Sequence, residues 1–330
     1  MRPAVIRTVA IPLLLSAAFA PLPAFACASC GCSLSSDWDS QGVSSSQGLK
    51  LDLRYDYVSQ NQYRSGSNVV SYDPATGQEN ETYTRNNYYT VGLDYSFASV
   101  WGVSVQLPYI VRKHETNGEP TIDPAAPDGL GNSGVQDTSK IGDAKVIFRY
   151  AGFADRNFGV QFGLKLPTGS HTETFARGFN AGELVDQGLQ PGTGSTDLIL
   201  GAFYSGSINR DWDYFTQGIY QTVLNHTDVY KPGHSLNVNV GLRYQGFDRI
   251  TPQLQINTRF ISKDSGDYGA GWAVDDNTGG RIAYLSPGVT VPVSDKVKLF
   301  AFVQLPIYQH LNGYQLAPKY LASLGARIGF

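Results

Sequence analysis

Past residue 26 the chain has no apolar run long enough to cross a bilayer as a helix, which takes about 20 residues. Methionine occurs once, at Met1, and the three cysteines, Cys27, Cys30 and Cys32, all lie near the N-terminus. No disulfide can therefore tie together the body of the chain. Basic residues are not in surplus, the net charge being −3, which excludes the electrostatic footprint of nucleic-acid binding. Enzyme signatures are missing too: there is no G-x-S-x-G, no H-E-x-x-H and no phosphate-binding loop. Barrel phospholipases need a Ser and a His on neighbouring strands, whereas His114, His171, His226, His234 and His310 all fall in polar loop stretches or at their bases. An enzyme is not expected.

What the chain does have is alternation. Leu49, Leu51, Leu53, Tyr55 and Tyr57 share one face, opposite Lys50, Asp52, Arg54 and Asp56. An apolar face backed by a charged one, at a period of two, describes a strand with lipid on one side and water on the other. The pattern recurs at 89–97, 103–111, 144–150, 158–166, 198–204, 212–223, 236–244, 254–260, 281–291, 297–308 and 320–330. Long polar connections (59–85, 114–140, 167–195) alternate with very short turns such as Asn209-Arg210-Asp211 and Ser294-Asp295-Lys296. The expected fold is all-β: a transmembrane antiparallel up-and-down β-barrel of about twelve strands, with both termini on the periplasmic side. Tyr and Trp gather near both ends of the strands, as at the two interfaces of a membrane; Tyr284 is placed in the outer belt on this pattern.

The N-terminal end reads as a cleaved secretory signal over 1–26. Arg2 and Arg7 precede a short apolar stretch, and Ala24-Phe25-Ala26 offers a cleavage site after Ala26. Residues 27–47 form a Cys/Ser/Gly-rich periplasmic tail or plug segment, and 48–330 the barrel. Export and the β pattern together imply the outer membrane of a Gram-negative bacterium, with lipopolysaccharide at the outer leaflet. The terminal strand ends on Phe330, and Gly325, Ile328 and Phe330 match the spacing of the signal read by the barrel-assembly machinery. Pairing of this strand with 49–57 would close the barrel and set Arg327 beside Lys50 and Asp52.

By parity the lumen receives Lys50, Arg54, Lys145, Arg149, Lys165, Arg243, Arg259 and Arg327, against Asp52, Asp56 and Asp94. A basic surplus of this kind would focus a field that favours anions, unless the charges pair. Phe300 and Phe302, with Tyr308 and Phe203, are expected to face inward as an apolar track for an apolar or aromatic permeant, or as packing for a plug. The expected function is facilitated diffusion of small molecules, aromatic or anionic.

Cys27, Cys30 and Cys32 form C-x-x-C-x-C. Three readings stay open: one local disulfide, a soft metal site for Cu(I) or Zn, or contact with a periplasmic redox partner. Lipidation at Cys27 is a fourth, although Ala24 and Phe25 depart from the usual lipobox. The metal reading is the sole cofactor expectation, and with it comes an alternative function, a scaffold or sheath barrel serving the Cys tail.

Four short strings carry a resemblance. Leu107-Pro108-Tyr109 with Arg112, Gly142-Asp143, Leu164-Lys165-Leu166-Pro167-Thr168-Gly169, and Pro191-Gly192-Thr193-Gly194-Ser195 with Asp197 resemble, in this order, the outer-membrane transporter family named for the meta-cleavage pathway of phenol degradation. The match spans about 86–330. It implies a porin-like barrel that passes small, often aromatic or apolar molecules; the Cys tail departs from the family pattern.

Overall fold

The computed structural model describes residues 47–72, 80–117, 133–266 and 277–330. The expected signal segment and the cysteine tail lie outside the described residues. The described residues form fourteen antiparallel strands: β1 (Gly48–Gly66), β2 (Asn68–Val69), β3 (Asn80–Ser96), β4 (Trp101–Asn117), β5 (Ser133–Ile141), β6 (Ala144–Phe153), β7 (Phe158–Leu166), β8 (Arg177–Gly178), β9 (Thr196–Ser207), β10 (Trp212–Asn225), β11 (Ser235–Tyr244), β12 (Thr251–Ile261), β13 (Gly280–Pro292) and β14 (Val297–Gly329). Eleven of them close a ring. Each pairs with its sequential neighbours, and β1 pairs with both β3 and β14. The short strands β2 and β8, and β5, add to this ring at the long-loop rim.

Strand β14 accounts for the twelfth crossing. Its 33 residues would stretch roughly 110 Å if straight. Instead its first part pairs with β13, Lys298 opposite Pro292 and Leu311 opposite Gly280. Its last part pairs with β1, from Tyr314 opposite Ser65 to Gly329 opposite Lys50. The Gly329 N–H donates to the Lys296 carbonyl at 2.7 Å, so the run doubles back on itself. The reversal falls at Asn312-Gly313, where Gly313 has a φ of 49°, a left-handed value that favours glycine.

The barrel is inverted relative to a water-soluble domain. Val240 and Leu254 are 50% and 48% exposed, while Gln304 and Asp56 are at 0%. Exposed aliphatics outside and buried polar groups inside are what a lipid-facing wall around an internal space demands. Aromatic pairs ring the short-turn rim, as with Trp101 and Tyr150 at 4.7 Å and Trp212 and Tyr244 at 5.0 Å. Tyr57 and Tyr320 (6.1 Å) and Tyr55 and Tyr89 (5.2 Å) mark the opposite interface. A hollow of about 630 Å³ over the seam, between Leu53, Val91, Val291 and Leu324, is apolar and opens on this lipid side.

Several expectations need correction. Strands run well beyond the apolar band: β1 continues to Gly66, β4 to Asn117, and β5 occupies 133–141, all assigned above to loops. Outside the bilayer both strand faces are polar, so the period vanishes, although hairpin pairing continues there, interrupted by irregularities near Ser59–Gln62 and Glu81–Tyr83. Tyr284 faces the interior, not the outer belt. Tyr308 faces outward, 47% exposed, because the β13–β14 register slips between Ala283 and Tyr284, opposite Pro306 to Tyr308. The proline has no N–H for the ladder, and the resulting bulge reverses parity beyond it.

Candidate functional site in the lumen

Parity places the inward charges as expected. Lys50, Asp56, Asp94, Arg149, Lys165 and Arg327 are buried, and Asp52, Arg54, Lys145, Arg243 and Arg259 are half-buried. Geometry then pairs most of them. At the seam Arg327 Nε and Nη2 donate to the two carboxylate oxygens of Asp52 at 2.7 and 2.8 Å. Arg149 bonds Asp94 at 3.0 Å and Ser96 at 2.8 Å. Arg54 bonds Asp56 at 2.7 Å, which also accepts the Ser323 hydroxyl, and Arg243 meets Asp213 at 2.9 Å. The broad basic surplus is therefore largely cancelled, because the lumen also holds Asp143, Asp197 and Asp213, which parity had not assigned.

The apolar track is corrected as well. Phe300 and Phe302 do face inward, but both are buried, with ring centres 6.3 Å apart. Each ring lies flat on the wall, Phe300 over Gly325 and Phe302 over Gly288; a Cβ at either glycine would collide with the ring. These aromatics fill the backbone gap a glycine leaves and do not project into the passage. Gly325 thus has a packing role of its own, while Ile328 and Phe330 face outward beside it.

A side-chain ladder braces the opposite wall. The amide of Gln217 donates to Gln161 (3.1 Å), Asn239 to Gln217 (3.2 Å), and Asn257 to Asn239 (2.9 Å); the Ser286 hydroxyl donates to Asn257 (2.6 Å). Each group satisfies the next, which lets neutral polar side chains stay buried across β7, β10, β11, β12 and β13. Nearer the long-loop rim the inner face turns apolar, with Val58, Tyr88, Ile110, Ile261, Ile282, Tyr284 and Leu321 in one cluster.

The strings that carried the resemblance converge in space. Lys165, at the end of β7, lies 3.3 Å from Asp143 and 3.0 Å from Asp197 and donates to the hydroxyls of Thr193 and Ser195. Gln221 donates to Asp197 at 2.5 Å. Asp143 accepts the backbone N–H groups of Gly169 and Thr193, both at 3.0 Å, and the Thr193 hydroxyl at 2.9 Å. One carboxylate thus pins both ends of segment 167–195 over the mouth of the barrel.

That segment is packed. Phe175, Val185 and Leu189 form a small core of their own, and Phe175 sits 6.2 Å from the ring of His114. His114 is the one histidine whose expected place is overturned: it is buried inside on the outer part of β4, accepting or donating a bond with Thr84 at 2.8 Å. Burial, with the nearby Arg112 charge, lowers its pKa to about 3. Beneath the segment lies a cavity of about 220 Å³, walled by Tyr88, Ile110, Arg112, Lys165, Arg259 and Ile261 among others. Arg112, Asp143 and Asp197 were missed as site residues, although each stands in a string quoted above.

Among the described residues, no group of three His, Cys, Asp or Glu side chains could hold a metal. Cys27, Cys30 and Cys32 lie outside those residues.

No protein-family model matches the chain, and no curated protein matches its sequence. Solved structures do. The crystal structure of an outer membrane channel from Pseudomonas putida F1 shares 15% identity at a TM-score of 0.61, covering 86% of this chain and 96% of that one. The β domain of the Bordetella autotransporter BrkA follows at 12% identity, TM-score 0.48, covering 86% and 100%. The CymD monoaromatic hydrocarbon channel gives 9% identity, TM-score 0.46, covering 86% and 89%. The first of the three is close enough to establish a shared fold, that of an outer-membrane β-barrel.

Proposed function

We propose that this protein is an outer-membrane channel through which small molecules diffuse from the long-loop rim to the short-turn rim. The observation that carries this reading is the cavity of about 220 Å³ held inside a closed barrel whose outer face is apolar. An internal compartment with charged and apolar walls serves a small permeant, and an apolar outer face has no use in water. The orientation follows: long loops face outward, against lipopolysaccharide, and both termini face the periplasm. Delivery to the membrane rests on the barrel-assembly machinery, which reads the strand ending at Phe330.

Entry requires segment 167–195 to move, since its residues Gln187, Gln190 and Pro191 roof the cavity. Below it the solute meets the apolar cluster and then the paired charges near Arg54. Likeness in motif order to the transporter family of phenol meta-cleavage supports an aromatic permeant. The test is liposome swelling with the full chain in lipid vesicles, across a panel of neutral aromatics, aromatic acids and sugars of matched size. Faster swelling for aromatics or aromatic acids is expected. Permeability no greater than that of empty vesicles for every solute refutes the channel.

A further inference from the structure

Arg112 stands apart from the other buried cations. It is 3% exposed, and its three bonds go to neutral acceptors. Its Nε donates to Asn86 Oδ1 at 2.5 Å, Nη2 to the Tyr88 hydroxyl at 3.2 Å and Nη1 to the Gln190 carbonyl at 3.5 Å. Among the described residues no carboxylate lies within 4 Å of it, the ion-pair distance, whereas Arg149, Lys165 and Arg327 each meet an aspartate. A guanidinium taken out of water without a counter-charge is costly, and it lines the luminal cavity. The same cavity presents Tyr88, Ile110 and Ile261, three buried members of the luminal apolar cluster.

We infer that Arg112 is the anchor of a binding site for a monocarboxylate with a small apolar body, such as an aryl or short acyl acid. The carboxylate supplies the missing charge by charge-assisted hydrogen bonds to the guanidinium. The apolar body lies against Ile110, Ile261 and the Tyr88 ring. The cavity wall is mixed in charge, with Asp143, Asp197 and Asp264 beside Arg54, Lys145, Lys165 and Arg259, so a single carboxylate is placed by contact with Arg112 and not by a surrounding field. The inference rests on the channel reading and narrows its substrate class.

The test is calorimetric titration of the detergent-solubilised full chain with benzoate, benzamide and chloride. Benzoate should bind, and benzamide, equal in shape but neutral, should bind at least about tenfold more weakly. Arg112→Gln should weaken benzoate roughly tenfold to a hundredfold, with Arg112→Lys in between; a heat-modifiable gel shift reports that each variant is folded. Ile261→Phe, which fills the apolar half and leaves the charge, should weaken benzoate and spare any chloride binding. Equal binding of benzoate and benzamide overturns the inference, and wild-type protein permits that comparison even where variants misfold. So does the absence of benzoate binding, undiminished binding in folded Arg112→Gln, or competition by chloride as strong as by benzoate. Failure here leaves swelling by other solutes intact, whereas failure of the channel reading removes swelling for all.

Discussion

Asp143→Ala should release segment 167–195 while leaving the barrel standing. Four bonds end on this carboxylate: two backbone N–H groups at 3.0 Å, the Thr193 hydroxyl at 2.9 Å, and Lys165 at 3.3 Å. Deleting it orphans two amides at the neck of the segment, each worth about 1–3 kcal/mol when unsatisfied, and leaves Lys165 with Asp197 alone. Water entering a loosened neck recovers part of this, so we take about 3 kcal/mol as the shift toward the open segment, or roughly a hundredfold in its population. The barrel wall is held by strand ladders that Asp143 does not serve, so its heat stability should change little. The readout is trypsin cleavage after Arg177, the one tryptic site within 167–195. That bond is protected because β8 pairs with β5, Arg177 opposite Val135 and Gly178 opposite Gly134. Where opening is fast relative to cleavage, the cut should appear roughly a hundredfold faster, and single-channel conductance should rise with it. Unchanged cleavage and unchanged conductance in a folded Asp143→Ala barrel would refute the clamp.

Arg327→Leu leaves the half-buried Asp52 without its bidentate partner, so the seam should weaken, by up to about 3 kcal/mol, and the heat-modification temperature fall; Asp52→Asn with Arg327→Gln should recover part of the loss. Gly288→Ala drives a Cβ into the Phe302 ring, and a loss of about 1–3 kcal/mol should be relieved by adding Phe302→Leu, measured by the same shift. Phe330→Ala should lower the amount of barrel in the membrane before it alters transport by the molecules that assemble; normal levels would count against the assembly role. For His114 the folded pKa of about 3 lies below the usual 6.5, so the opened state takes up the proton first. The packing of segment 167–195 on His114 should hence hold above about pH 6.5 and weaken as pH falls from there toward 3, seen as faster pepsin cleavage of the segment that His114→Gln makes less dependent on pH.

How much of this was legible in the sequence follows from where the signal lives. Inside the apolar band every second residue meets lipid, so alternation was enough to pair the last strand with 49–57 and bring Arg327 near Lys50 and Asp52; the register itself sets Arg327 opposite Asp52. Past the band the inward side chains are buried but polar, as Thr84, His114, Thr116 and Gln136 are, so no apolar period marks the strand, and most of β5 and the last four residues of β4 read as loop. Parity also assumes an unbroken ladder, and the bulge at Pro306 turned Tyr308 outward against it. The lumen needed more than direction. Phe300 and Phe302 were rightly aimed inward, but their lying flat depends on Gly325 and Gly288, one on the far arm of the β14 hairpin and one on the neighbouring strand β13. Asp143 and Asp197 flank strand starts, where loop and strand are hard to tell apart, and their meeting at Lys165 joins positions far apart in the chain.

The pairing of the luminal charges changes the expected basis of selectivity. An unpaired basic wall would draw anions by its field at a distance, with little regard to their shape. Here Arg54, Arg149, Lys165, Arg243 and Arg327 are each neutralised within about 3 Å by an aspartate. Such pairs project little potential into the passage, and their removal would be felt as strain in the wall before it was felt by a solute. Discrimination then has to come at contact, where the roofed cavity brings Arg112 and the apolar cluster together. A channel built this way should show weak preference between simple ions and strong preference between solutes that do and do not fit beneath segment 167–195. On the channel reading, the clamp of Asp143 on Gly169 and Thr193 then sets how often that contact is offered.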